Sequence, residues 1–411
     1  MVVLFLVVTI LNSIVTIYIS KHKLGFWLNH YTLHNLFWLG TVFLAKYASS
    51  FQVPVNDTVY IIFLIGLWAF NSTVFFLSPQ SALGIRQVSL SLSRRRLIEM
   101  LVLVSILPQA YLNFKLIRQG VNLWEINLEF WGSRGSGSYL YALYQESVVT
   151  PLSKLLIATS FYYEYYDKKN TSGYVTIIIA LIIGLASLFT TGGGRTGVLH
   201  LLFMFLLSYA AVKNIYLSKT IVKINPIYIA TGIILCVSGI AWATIQRGHD
   251  SMVSEIIDRY TLCVPLFEYY YNSPILDTHT YGASMFEFIW TLITYPFRAL
   301  GADIDIVRNN SIIQEFVYLP ALSRSVNAYP TEYFNYIRDF GVTGIILGPC
   351  ILASLYNWAY KFFKKNTFYM LFFVAGVLSW NFESHFAFLR NNCLSIIYCV
   401  ILYHYLRPQL R

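Results

Sequence analysis

The chain has 411 residues, of which 57% are hydrophobic and only 12% charged, with a formal net charge of +10. A water-soluble domain carries roughly 25% charged residues, so this composition excludes an ordinary soluble globular protein. The positive charge is not a nucleic-acid signal either, because the cations fall where membrane topology places them.

Apolar runs at 1–19, 59–77, 175–189 and 227–245 carry almost no charge, and a helix needs about 20 such residues to cross a bilayer. Run length predicts about eleven spans, at 1–20, 25–45, 57–77, 97–117, 148–166, 173–190, 194–212, 226–245, 340–361, 367–382 and 387–406. Residues 1–20 lack a basic leader and a cleavage-like site, so they are expected to be a retained span. The second expected span contains His30 and His34, and the last contains Arg390. The fold class is therefore all-α: a polytopic membrane protein forming a single transmembrane domain over 1–411.

Alternate connections carry the basic residues. Lys21 and Lys23, then Arg86, Arg94, Arg95 and Arg96, then Lys168 and Lys169 fall on one side. Lys213, Lys219, Lys223, Lys361, Lys364, Lys365, Arg407 and Arg411 join them when eleven spans are threaded. Positive loops stay in the cytoplasm, which puts the N-terminus outside and the C-terminus inside. The tyrosine-rich run Phe161-Tyr162-Tyr163-Glu164-Tyr165-Tyr166 reads as an interfacial belt. Glu99, Glu146 and His200 read as flanking or helix-contact residues.

The two long connections, 118–147 and 246–338, both fall on the outer side. The second precedes the last three spans and holds ten acidic and six basic residues. It is rich in Tyr, Phe, Ile and Leu, so it is expected to be partly helical, with residues 285–300 as an amphipathic or re-entrant helix. All the basic residues of these loops are arginines: Arg118, Arg134, Arg247, Arg259, Arg298, Arg308, Arg324 and Arg338. Arginine grips phosphate and carboxylate in a two-pronged fork, where lysine acts as a point charge.

The turn Thr190-Thr191-Gly192-Gly193-Gly194-Arg195-Thr196-Gly197 joins two spans on the same outer side. It sets Arg195 at a helix N-terminus, where free N–H groups and the helix dipole favour an anion. A second dense polar stretch runs from Ser323 through Arg324, Asn327, Tyr329, Pro330, Thr331, Glu332, Tyr333 and Arg338 to Gly341 and Gly344. It is expected to place Arg338 at the N-terminus of the ninth span, repeating the arrangement at Arg195. Two such ends suit a diphosphate held between them.

The glycine–Arg195 turn, the long outer loop and the Asn327…Pro330-Thr331-Glu332…Gly341…Gly344 run resemble the Wzy-type O-antigen and oligosaccharide repeat-unit polymerases, relatives of the O-antigen ligases. The resemblance implies a glycosyltransferase of the bacterial inner membrane. It implies that repeat units carried on undecaprenyl diphosphate are joined at the periplasmic face, with a chain-length-regulating membrane protein as a possible partner. It further implies functional arginines in the outer loops, here Arg134, Arg195, Arg247, Arg324 and Arg338. The catalytic candidates are Arg195, Arg324, Arg338 and Glu332. Arg134, Arg247, Arg259, Asn327, Tyr329 and Tyr333 are the substrate-contact candidates.

A diphosphate is already a good leaving group, so cations aimed at its developing charge suffice, and no cofactor or metal is expected. Asp303 and Asp305 form a lone Asp-x-Asp, and the five cysteines show no metal or disulfide spacing. Glu332, or second Glu287, is the expected general base. The alternatives are an O-antigen ligase and a lipid-linked oligosaccharide flippase or transporter; a transporter is expected to show internal repeats and midplane charges, which this sequence lacks.

Overall fold

The computed structural model describes residues 2–77, 85, 86, 88–121, 125, 126, 144–166, 173–190, 195–216, 234, 238, 257, 258, 260–286, 289, 290, 293, 294, 297, 300–302, 316–326, 331–378 and 388–407. These residues are mostly helical. In chain order they form α1 (Val2–Leu24), α2 (His30–Tyr47), α3 (Asp57–Phe76), α4 (Leu92–Arg118), α5 (Thr150–Ala158), α6 (Phe161–Tyr166), α7 (Gly173–Thr190) and α8 (Arg195–Tyr216). Then follow α9 (Cys263–Tyr271), the strands β1 (Val317–Leu319) and β2 (Arg324–Val326), α10 (Glu332–Phe340), α11 (Gly344–Phe363), α12 (Thr367–Leu371) and α13 (Phe388–Leu406). β1 and β2 pair antiparallel, with Tyr318 opposite Ser325.

Among the described residues, four helical segments are long and apolar enough to cross a membrane: Val2–Leu24, Asp57–Phe76, Leu92–Arg118 and Glu332–Phe363. α4 alone extends about 40 Å at 1.5 Å per residue, which exceeds the ~30 Å hydrocarbon thickness of a bilayer. How the side chains of α1 are distributed shows what surrounds it. Its buried stripe is Val2, Leu6, Thr9, Ser13, Thr16, Ser20 and Leu24. Its exposed face carries Val3, Leu4, Val7, Leu11, Ile14 and Val15. A surface helix of a soluble protein has the opposite arrangement. Small polar residues inside and branched aliphatics outside suit a helix solvated by lipid.

The contacts clustered along the chain form two compact units. The first comprises 1–81, 253–361 and 380–391. In it α1, α2 and α3 are joined by an amide ladder. Asn71 Nδ2 donates to Asn12 Oδ1 at 2.7 Å and to Asn35 Oδ1 at 2.9 Å, and Asn35 Nδ2 donates back to Asn71 Oδ1 at 2.8 Å. Trp68 Nε1 donates to Thr9 Oγ1 at 2.7 Å. Interhelical bonds of this kind average about 0.6 kcal/mol in a membrane, so they fix register more than they supply stability. Around them lies an apolar core built from Trp38, Phe63, Leu67, Phe267, Tyr333 and Phe334, among others.

The second unit comprises 82–252, 362–379 and 392–411. Here α4 starts at Leu92 rather than at 97, because Ser91 caps it and the three arginines are part of the helix. Arg95 is fully buried. Its Nε donates to Glu99 Oε1 at 2.7 Å, Nη2 to the Leu156 carbonyl at 2.7 Å, and Nη1 to Thr159 Oγ1 at 2.9 Å. Arg96 Nη1 donates to Glu99 Oε2 at 2.6 Å. Glu99 is therefore the buried centre of an ion-pair network, not a flanking residue. The expected span at 148–166 is not one continuous α-helix: a π-turn over Gln145–Val149 leads into α5, and the chain turns at 159–160 before α6.

Candidate functional site

The polar stretch singled out in the sequence forms α10, in the first unit. Thr331 precedes its first turn in an extended conformation. Gly341, at φ 62, ends it, and a 3-10 turn over Gly341–Thr343 leads into α11. Arg338 is thus in the last turn of α10 and not at the N-terminus of the following helix, which begins at Gly344. The reason is local: the positive φ of Gly341 breaks the helix that the apolar run alone would have continued. Gly344 and Gly348 face the carbonyl and the ring of Tyr336, where a Cβ has no room. The glycine spacing therefore lets α11 approach α10.

Three charged side chains of this nine-residue helix are buried: Glu332 at 4% exposure, Arg338 at 1% and Asp339 at 0%. Burying an ion costs several kcal/mol unless it is paired and hydrogen-bonded, so each needs an account.

Asp339 has one. Its Oδ1 accepts from Thr280 Oγ1 at 2.5 Å and from the Ser284 amide at 2.8 Å, and its Oδ2 accepts from the Met285 amide at 2.7 Å. Main-chain bonds from Thr280 N to Arg338 O (3.0 Å) and from Tyr281 N to Asp339 O (3.2 Å) close the same joint. Ser284 Oγ adds a bond to Asn335 Oδ1 at 2.8 Å. The carboxylate thus ties the 280–285 turn to α10. Tyr281, at φ 48, is held there in a left-handed conformation with its side chain 84% exposed.

Glu332 is different. Trp38 Nε1 donates to its Oε1 at 3.1 Å. Its Oε2 is buried and meets no partner in strict hydrogen-bond geometry among the described residues, although the Tyr336 hydroxyl, one turn on, bears on the same carboxylate. Tyr333 packs edge-on to Trp38, ring centroids 4.8 Å apart, and its hydroxyl donates to the Phe63 carbonyl at 3.2 Å. Gly66 leaves the space that the Tyr333 ring occupies. The Arg338 guanidinium lies 5.8 Å from the centre of the Phe334 ring, a cation–π contact.

Of the residues expected from sequence, α10 brings together Glu332, Tyr333 and Arg338. Arg324 is exposed on β2, opposite Leu319. Arg195 is the first residue of α8, in the second unit. Arg134, Arg247, Arg259, Asn327 and Tyr329 lie outside the described residues, as do Asp303, Asp305 and Glu287. Of the expected helix at 285–300, positions 289, 290, 293, 294 and 297 are helical. Ile293 and Phe297 expose more than half their surface there, while Thr294 is buried.

Sequence reasoning missed Asp339, Thr280, Ser284 and Trp38. Asp339 adjoins Arg338 and was visible as a charge; Trp38 is 294 positions from Glu332 and gave no signal. Cys263 is buried, and burial pushes its thiol well above the ordinary range, which suits an inert core residue and not a nucleophile. Among the described residues no group of three His, Cys, Asp or Glu side chains is placed to hold a metal ion. Comparison with protein-family models, curated proteins and solved structures gave no match.

Proposed function

We propose that this protein is a metal-independent glycosyltransferase that joins undecaprenyl-diphosphate-linked oligosaccharide units into a surface polysaccharide at the outer face of the bacterial inner membrane. In this reading the chain crosses the bilayer about eleven times, with its N-terminus outside and its C-terminus in the cytoplasm. The observation that carries the proposal is α10. This short helix of Glu332, Tyr333, Arg338 and Asp339 is buried, charged, and set directly before an apolar helix. Charge retained in such a place is a functional-site hypothesis by default.

In the reaction, a hydroxyl oxygen of the incoming unit bonds to the anomeric carbon of the growing chain. The bond from that carbon to the diphosphate oxygen breaks, and undecaprenyl diphosphate leaves with the electron pair. The hydroxyl proton passes to Glu332, a buried carboxylate whose Oε2 meets no partner in strict hydrogen-bond geometry among the described residues. Arginines stabilise the leaving diphosphate, each well-placed donor contributing about 3–4 kcal/mol; Arg324 and Arg338 are the candidates of the first unit and Arg195 that of the second. The remaining outer-loop candidates and Tyr333 shape the sugar-binding surface.

The test is the glycan pattern of cells lacking the protein. The proposal expects the polysaccharide ladder to collapse to a single unit still attached to its acceptor. Undecorated acceptor, with polymer accumulating on the lipid carrier, identifies a ligase instead. Loss of all outward-facing units identifies a transporter.

A further inference from the structure

The second unit gathers cations at one end, apart from α10 and its chemistry. α4 begins there, and the Ser91 amide donates to the Leu406 carbonyl at 2.8 Å, so the start of α4 and the end of α13 lie at one level. Arg94 Nη1 donates to the Tyr405 and Arg407 carbonyls at 2.7 and 2.9 Å, which holds its guanidinium across the end of α13. Arg86 forms a backbone bridge to Asn366, and the Thr367 amide donates to the Arg86 carbonyl at 3.1 Å. Lys365 adjoins that bridge, and Tyr369 of α12 packs on Tyr403 of α13, ring centroids 4.6 Å apart. Arg86, Arg94, Lys365 and Arg407 are thus brought to one end by four joints.

The charge at this end is one-sided. Glu99, the described carboxylate nearest it in the helix, is buried and engaged by both Arg95 and Arg96. Arg86, Arg94, Lys365 and Arg407 have no carboxylate partner among the described residues. Arg86, Lys365 and Arg407 are exposed. Arg407 lies 5.5 Å from the centre of the Tyr403 ring and Lys365 lies 4.7 Å from that of Phe362, so aromatic rings back the cations. α4 is apolar on its exposed face just beyond, at Leu97, Met100, Leu101 and Val104. The cations therefore stand at the boundary between the lipid-facing part of α4 and water.

We propose that this end of the second unit is a docking surface for the phosphate headgroups of anionic phospholipids. Basic residues at the membrane surface attract anionic lipid, arginine forks onto phosphate oxygens, and the rings suit the interfacial level. The depth of the surface favours a lipid over a soluble anion: the exposed apolar residues directly below it accept acyl chains.

The test uses the full-length protein in bilayer nanodiscs of phosphatidylcholine with a minor fraction of spin-labelled phosphatidylglycerol or spin-labelled phosphatidylcholine. Enrichment of the labelled phosphatidylglycerol at the protein is expected. It should fall on the order of tenfold in the double variant Arg86→Gln/Lys365→Gln, neither of whose side chains makes a hydrogen bond among the described residues. Arg407→Gln is expected to lower it by a smaller factor, and Arg118→Gln, at the opposite end of α4, to leave it unchanged. Equal retention of the two lipids overturns the proposal, as does enrichment that survives the double variant. A loss of the same size in Arg118→Gln shows diffuse charge attraction and overturns it too. Displacement of the lipid by an excess of inorganic phosphate shows a soluble-anion site and not a lipid one.

Discussion

In the second unit Arg95 is buried with all three guanidinium nitrogens engaged, while in the first unit Glu332 is buried with one carboxylate oxygen that meets no partner in hydrogen-bond geometry among the described residues. Both residues carry the cost of leaving water. Arg95 recovers it from Glu99 and from carbonyls at the end of α5, where the helix dipole also favours a cation. Glu332 recovers part of it, from the Trp38 indole and from Tyr336 beside the carboxylate. The difference separates two uses of buried charge. A fully satisfied network fixes how helices pack, and a partly satisfied one keeps bonding capacity for something else.

Single substitutions remove either kind of buried charge. The largest effect on stability is expected for Arg95→Met, which strips Glu99 of one partner and leaves the Leu156 carbonyl and Thr159 without their donor. A loss of about 3–5 kcal/mol is expected, read as a lower unfolding midpoint of the detergent-solubilised protein. Next is Asp339→Ala. It leaves the Ser284 and Met285 amides and the Thr280 hydroxyl without an acceptor, and about 2–4 kcal/mol is expected. Its signature is local: proteolytic cleavage within 278–285 should appear well before global unfolding. Equal resistance in the variant and the parent would show that the turn is held by other bonds.

The sequence disclosed these two regions unequally. Apolar run length located α1, α3, α4 and α7 to within a few residues, because a helix in lipid must be long and uncharged whatever it packs against. It misplaced the start of α4, since Arg94, Arg95 and Arg96 read as a loop charge cluster until their partners are known. Only the fold shows that Glu99, one turn on, turns two of them inward. It carried the ninth span back to 340, because nothing in the apolar run records the positive φ of Gly341. The expected span at 226–245 falls almost wholly outside the described residues. Within the candidate site, Glu332, Tyr333 and Arg338 were legible as a dense polar stretch. Their burial was not, since it depends on Trp38, Phe63 and Gly66 from distant helices.

The smallest expected effect on stability is also the most informative. Glu332→Gln keeps the shape of the side chain and the carbonyl oxygen that accepts from Trp38, and it removes a buried charge, so the change in stability should stay under about 1 kcal/mol. Polymer formation in cells carrying only this variant reads out Glu332 as the proton acceptor. Normal protein abundance, an unshifted unfolding midpoint and loss of the polysaccharide ladder are expected. A full ladder from Glu332→Gln would contradict that role and make Glu332, like Arg95, a packing residue.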